Sequence, residues 1–538
     1  MSQALHEIRY GKAARTLVMG TRGVIAAGHP LASVAGLRIM QRGGNAVDAA
    51  VAAGFVLAVV KHEACGLGGD MFSLVYMKDE GKVRALNASG PAPGNATIEA
   101  FKSRGLDAIP TSGPLSISVP GAVDGWLELH RRYGTVDLAE VCADAITLAR
   151  DGFPLYLALA ESIETWAPTS PDIQQYFRAR LEDLTPGRVL RQPELAGVLE
   201  SIARNGRDGF YGGDVAARLC AGIRERGGLL EERDLEGSFA EWMEPLSTDY
   251  RGYQILEQPP VSQGFIVLTM MNLLAGYDYR SLSQTEMAHV MVEAKKIAFE
   301  DRIRHLDDPR FGDPEVQRLI GQEYADQRRG DIAGSAGPVT SSYAAAGADT
   351  TYLCVADGDG NAISLIESVF SVFGSRVVAG DTGLVMNNRL CSAMLDPGSA
   401  NALKPGKRPA HTLNSYMVFH NGEFLAVGGT PGADDQPQTN VQVLHNLLDL
   451  KMDPQCALEA PRWSHVPGTP PNVGYPEMLR LEGGFPEEVV NGLAAKGHPV
   501  TVVEPWTFGG AALIAKDPRN GALMAAADPR RDGYALGW

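Results

Sequence analysis

Residues 349–364 read Asp-Thr-Thr-Tyr-Leu-Cys-Val-Ala-Asp-Gly-Asp-Gly-Asn-Ala-Ile-Ser. Over 350–356 the residues alternate toward a strand, the polar run 357–361 turns the chain, and 362–368 returns as a second strand. Two later stretches repeat the pattern: 415–420 and 423–427 flank Asn421-Gly422, and 511–516 and 522–527 flank Asn520-Gly521. Asn-Gly between apolar runs favours a tight hairpin because both turn positions take positive φ. Three hairpins predict an antiparallel sheet. Helical patterns over 436–449 and 486–496 predict helices to cover it, giving an α+β layered architecture.

Working toward the N-terminus, residues 330–348 are rich in Gly, Ala, Ser and Thr and carry little periodicity. This predicts an exposed flexible segment, 330–349, and the main boundary of the chain. Before it the chain reads as mainly helical with strands between. Residues 31–41 have apolar positions at helical spacing and stop at Gly43-Gly44; Asn45 can then cap a helix over 46–60. Further helices are predicted at 136–150, 265–275, 283–304 and 313–328.

Composition excludes several function classes. The chain has 538 residues, 45% hydrophobic and 21% charged, enough for large buried cores. A net charge of −16 repels phosphate backbones, so nucleic acid is not an expected partner. The first twenty residues hold no apolar run of signal-peptide length, and 46–60 is too short to span a bilayer and contains Asp48. The expectation is a cytoplasmic protein without a membrane partner. Six cysteines lie far apart with no Cys-x-x-Cys pair, and no His-Glu-x-x-His occurs, so buried free thiols are predicted rather than disulfides or zinc. The histidines show no ligand spacing, and no metal or organic cofactor is expected. The run 357–361 begins like a calcium loop, but Ala362 and Ser368 stand at its sixth and twelfth positions, so a hairpin turn is predicted. Gly66-Leu67-Gly68-Gly69 lacks the lysine of a phosphate loop and reads as a tight turn.

Thr350 is a hydroxyl residue opening a buried-looking strand just after a flexible segment. Threonine is common at strand starts, so this alone does not mark a site. Ten separated segments add to it: GHPLAS at 28–33, RGGNAVDAAVA at 42–52, GLGGDMF at 66–72, VPGAVDGW at 119–126, PPVSQG at 259–264, VEAKKIAFEDR at 292–302, DTTYLCVADGDGNAIS at 349–364, PGKRPAHTLN at 405–414, GGTPGADDQPQ at 428–438 and ADPRRDGYALGW at 527–538. In order and spacing the chain resembles the gamma-glutamyltranspeptidase family of N-terminal-nucleophile hydrolases, and within it the divergent branch of oxamate amidohydrolases and cephalosporin acylases.

The resemblance implies a four-layer αββα fold and a precursor that cuts itself between Asp349 and Thr350. The large chain would be 1–349 and the small chain 350–538. Thr350 would be both processing residue and nucleophile, its freed α-amine (unperturbed pKa about 8) serving as general base. Ser368 stands where the family keeps a second hydroxyl, a threonine. The N–H groups of Gly432 and Ala433 would form the oxyanion hole, with Ala433 in place of a usual glycine. Partners would be a small-molecule amide and the two chains of one precursor; a homo-oligomer of the processed heterodimer is left open.

The departures from the family form a set. Ser89 stands at the position of an arginine that binds the donor's α-carboxylate. Phe370 replaces an asparagine, Ser392 a carboxylate that binds the ammonium, and Arg389 a nearby polar residue. His411 and Thr412 replace two serines that help hold the carboxylate. Losing the acid and gaining Arg389 disfavours an ammonium and suits a carboxylate, unless Arg389 is structural. The expected donor is a small carboxylated amide without an α-amine, of oxamate or glutaryl type. The alternatives are a true gamma-glutamyltransferase or glutathione hydrolase with a rearranged pocket, and an unprocessed, inactive binding homologue.

Overall fold

The structure, a computed structural model, describes residues 6–339, 348–467 and 476–538, with 348–349 described in backbone alone. The three predicted hairpins are present, and they belong to two different sheets. Strand Ala348–Asp357 pairs with Ala362–Ser371 in a seven-stranded sheet ordered Tyr534–Gly537, Gly23–Ala27, Ala348–Asp357, Ala362–Ser371, Asp70–Met77, Lys82–Ala88, Glu241–Met243. The other two hairpins sit in a second seven-stranded sheet, ordered Val18–Gly20, Leu523–Ala527, Ala512–Lys516, Glu423–Gly429, Ser415–His420, Tyr253–Glu257, Leu246–Tyr250. Every pairing in both sheets is antiparallel. Each sheet takes strands from both sides of residue 350, so neither segment alone completes one.

The period of two explains the layers. Along the first sheet Ala26, Phe72, Leu74, Tyr352, Cys354 and Ile366 point inward to meet Leu256, Met417, Val427, Ile514 and Ala525 of the second. Their neighbours Ile25, Met71, Val75, Leu353, Val355 and Leu365 point the other way, onto the helix Ala46–Val60. On the far side Ile255, Val418, Ala426 and Leu513 pack against Gly264–Ala275, Gln284–His305 and Asp435–Leu448. The result is the expected αββα stack.

Helix Ala46–Val60 is buried along its whole length, held at its start by Asn45 and Asp48 in a capping box. Each fully buried Val, Leu or Phe in it contributes about 1.5–3 kcal/mol. Asp357 fixes this helix to the first hairpin: Oδ2 accepts from Ala46 N at 3.0 Å, while Oδ1 accepts from Asp359 N and Asn361 N. The calcium-like run is thus a self-bonded hairpin turn.

One helix differs from expectation. The single helix predicted at 313–328 is two, Val316–Leu319 and Gln322–Arg329, because Gly321 adopts extended backbone at φ −74, ψ 145. The expected flexible segment falls partly on 340–347, outside the described residues. All six cysteines are free, five of them buried. Among the described residues no helix is long and apolar enough to cross a membrane.

Candidate active site

Thr350 is buried in strand Ala348–Asp357, and Ser368 is buried on the next strand. Thr350 Oγ1 donates to Ser368 Oγ at 3.1 Å, and Ser368 Oγ also accepts from Phe370 N at 2.8 Å. The ladder is irregular here. Asp349 pairs with Phe370 and Thr351 with Glu367, so one residue, Thr350, stands opposite two, Ser368 and Val369. Val369 leaves the ladder, its N–H going to Ala64 O and its C=O to Asn388 N. Bulges of this kind re-aim side chains and recur beside active sites. Phe370, which follows, has φ 83, a region a bulky side chain rarely adopts.

Two residues on from Ser368, Phe370 lines a cavity of about 370 Å³, whose lining does not include Thr350 or Ser368 themselves. Ser392, His411 and Thr412 line it as well, together with Gln263, Arg302 and Asp396. Four of the substrate-site residues expected from the sequence therefore meet on one wall. Arg389 lies fully buried against that wall: its guanidinium stacks 3.8 Å from the Phe370 ring centroid, and Nη1 is 3.3 Å from Thr412 Oγ1. Nε and Nη2 have no hydrogen-bond partner. The nearest anion is Asp70, whose Oδ2 is 4.0 Å from Nε. Burial pulls the Arg389 pKa down to about 10, partly opposed by Asp70.

Asp70 opens the strand next to Ser368 and pairs with it in the ladder. Its Oδ2 accepts from His411 Nε2 at 3.1 Å and its Oδ1 from Gly90 N at 2.9 Å. His411 Nδ1 accepts from Leu413 N, so the ring is neutral with its proton on Nε2. Burial first, then the charge of Arg389, hold the His411 pKa near 4. Ser392 Oγ donates to the carbonyls of Arg389 and Ala410. Ser89 does not line the cavity: its hydroxyl donates to Asn87 Oδ1 and its carbonyl accepts from Arg408.

Gly432 and Ala433 lie between strand Glu423–Gly429 and helix Asp435–Leu448. Both have positive φ, 121 and 47, the second costly for alanine. Among the described residues neither N–H has an acceptor in the protein. The loop is tied to the cavity by Gln263, whose Nε2 donates to Thr412 O at 2.6 Å and Ala433 O at 3.1 Å. Gln263 Oε1 accepts from Arg302, and Arg302 Nη1 bonds Asp434 Oδ1 at 2.7 Å. Sequence reasoning singled out none of Asp70, Gln263, Arg302 or Asp434, although each lies in a motif segment: 66–72, 259–264, 292–302 and 428–438.

Known proteins resemble this chain over nearly its whole length. The profile of the family described as gamma-glutamyltranspeptidase matches residues 32–538. The chain is 40% identical over 529 residues to the glutathione hydrolase-like YwrD proenzyme of Bacillus subtilis, covering 97% of this chain and 99% of that protein. It is 34% identical to the oxamate amidohydrolase proenzyme of Klebsiella pneumoniae, again over 97% and 99%. The crystal structure of cephalosporin acylase from Bacillus halodurans superimposes with a TM-score of 0.90 at 35% identity, covering 98% of both chains. With the motifs, the αββα stack and these matches over nearly the whole length, the chain belongs to the gamma-glutamyltranspeptidase family.

Proposed function

We propose that this chain is a self-processing threonine amidohydrolase that transfers a small carboxylated acyl group from an amide to water or an amine. The observation that carries the reading is the Thr350–Ser368 hydrogen bond at the bulge, two residues before Phe370 of the cavity lining. In the precursor the Thr350 hydroxyl attacks the Asp349 carbonyl, and the peptide C–N bond breaks as the acyl group moves to Oγ. Water hydrolyses that ester, leaving the Asp349 carboxylate and a free Thr350 α-amine. This amine then takes the hydroxyl proton as Oγ attacks a donor amide. The N–H groups of Gly432 and Ala433 stabilise the oxyanion. The donor's amine departs with a proton, and water or a second amine takes the acyl group from Thr350.

Arg389 supports a carboxylated donor. Two of its nitrogens are unsatisfied, and its nearest anion is a 4.0 Å contact that His411 shares. A second reading, a gamma-glutamyl donor, has one observation in its favour. Asp396 lines the same cavity, and its carboxylate offers an ammonium a partner that Ser392 does not. Intact-mass spectrometry tests the core of the proposal. Wild type is expected as two chains, the smaller beginning at Thr350, and Thr350→Ala as one uncut, inactive chain. Two chains from Thr350→Ala would overturn the assignment. On the mature enzyme, release from a gamma-glutamyl anilide faster than from glutaryl or oxamic amides would favour the second reading.

A further inference from the structure

Away from the cavity, helix Gln284–His305 carries His289 and Glu293 four residues apart, so both lie on one face. Facing them is His498, from the connection between helix Glu487–Ala495 and strand Val500–Val503. All three are buried, and one ligand atom from each lies within 4.8 Å of the other two. We propose that His289, Glu293 and His498 form a site for a divalent transition-metal ion of the zinc class, stapling this helix to the segment that carries His498.

The proton arrangement suits such an ion. His289 Nε2 lies 2.8 Å from Ala333 O, a carbonyl that can only accept, so this nitrogen carries the ring's proton. His289 Nδ1 is then a lone pair, directed at His498 Nε2 at 2.8 Å. A metal needs the single proton between the two rings to be displaced. His498 does this by changing tautomer, with its proton moving to Nδ1, and no net proton is lost. Nδ1 is buried and has no hydrogen-bond partner, so no existing bond opposes the change. Two bonds of about 2.0–2.1 Å at a tetrahedral zinc put their nitrogens about 3.3 Å apart. The rings therefore need to separate by only about half an ångström. Ala333 O, bonded to the far nitrogen of His289, orients that ring as carbonyls do behind metal-bound imidazoles.

The charge also fits. Glu293 Oε2 accepts from Gly337 N at 3.0 Å, while Oε1 lies 2.9 Å from Lys296 Nζ outside hydrogen-bonding geometry, leaving it a lone pair. Lys296 is shared with Glu477 at 3.1 Å. Two carboxylates thus share the Lys296 ammonium, so its charge is divided between them rather than held by Glu293 alone. Two neutral imidazoles and a carboxylate are a borderline donor set that favours zinc or cobalt over calcium or magnesium. The ligands come from both sides of the Asp349–Thr350 peptide, and the arm before it is bonded to the same cluster through Ala333 and Gly337.

The test uses the full-length protein, stripped with a chelator and titrated with cobalt(II) chloride. One equivalent of Co²⁺ is expected, with the visible absorption of a four-coordinate nitrogen–oxygen site, displaced by Zn²⁺, and Zn²⁺ should raise Tm. His498→Asn keeps an N–H for His289 and removes the ligand; Glu293→Gln removes the carboxylate. Both should weaken Co²⁺ binding at least roughly tenfold and abolish the Zn²⁺-dependent rise in Tm. If one variant does not fold, the other decides. Absence of stoichiometric Co²⁺ in wild type overturns the proposal. So does unchanged binding in a folded variant, which would mark surface binding only.

Discussion

Thr350 Oγ1 lies 3.1 Å from Ser368 Oγ at the one point where the ladder between their strands loses register. On the C-terminal side of that fault the pairing is regular from Thr351 to Ala356. On the other side Asp349 pairs with Phe370 and Ala348 with Ser371, so the peptide proposed to break sits at the fault itself. A rigid ladder would hold the Asp349 carbonyl in the sheet, whereas a bulge lets it turn toward a side chain.

Ser368→Ala should therefore slow maturation by about 100-fold, the scale of one positioned proton-transfer partner. Ser368→Thr keeps the hydroxyl and should mature at close to the wild-type rate. Gel electrophoresis over time after purification reads both, and Ser368→Ala maturing like wild type would remove Ser368 from the mechanism.

Ala433 holds its N–H in position at a backbone cost. Its φ of 47 costs an alanine about 1–2 kcal/mol, which glycine does not incur. Glycine gives back about 0.5–1 kcal/mol through the unfolded chain. Ala433→Gly should then be neutral to slightly stabilising by thermal melting and keep activity within about threefold, since the N–H is retained. Ala433→Val should lower both Tm and kcat.

Gln263 joins the cavity wall, the Ala433 carbonyl and Arg302 in one buried network. Gln263→Ala leaves two buried carbonyls without this donor, at about 1–3 kcal/mol. It also frees the Gly432–Ala433 loop to shift. Stability should fall, and kcat should fall more than KM rises. An effect on Tm alone would make Gln263 purely structural.

The strands and most helices were legible because their periods are local. Alternation over 350–356 and the Asn-Gly turns lie within a few residues of each other, and Asn45 with Asp48 caps its own helix. The break at Gly321 was missed because apolar spacing continues through it. The candidate site is legible in the sequence only where the motif resemblance points. Nothing local separates Thr350 from any other threonine at a strand start. Gln263 and Arg302 are 39 residues apart, Arg302 and Asp434 132, and Asp70 and His411 341; only the tertiary fold joins them. His289 and Glu293 have helical spacing, but their third companion comes from beyond residue 350.

Arg389 gives the donor prediction its sharpest form. Arg389→Gln removes the charge while keeping a planar group against Phe370. A lost charge-assisted hydrogen bond is worth about 1.5–3 kcal/mol, so KM for an anionic acyl amide should rise about 10- to 100-fold. For a neutral amide of the same length it should change less than about threefold. Steady-state kinetics on the mature enzyme compares the two, and equal increases would make Arg389 a structural partner of Asp70.

Glu367, next to Ser368 and opposite Thr351, predicts how stability responds to pH. It is 1% exposed, and the Cys65 thiol and Trp126 indole approach its carboxylate without forming well-aligned hydrogen bonds. Burial drives its pKa up from 4.5 to about 8, with the nearby Cys65 thiol and Trp126 indole offsetting part of that. The folded protein thus keeps this proton up to about pH 8, while the unfolded chain loses it near 4.5. The associated stability is fully present below pH 4.5 and falls as pH rises, levelling off above about 8. Its slope is at most about 1.4 kcal/mol per pH unit. Glu367→Gln keeps the shape and carries no titrating proton. Melting of wild type and variant from pH 5 to 8, both in the uncut Thr350→Ala background, isolates this one group because every other titration is common to the pair. The wild-type background should lose stability faster with rising pH, and the gap should stop widening near pH 8. Parallel curves would mean that Glu367 is already ionised in the fold, with a cation or water reaching it.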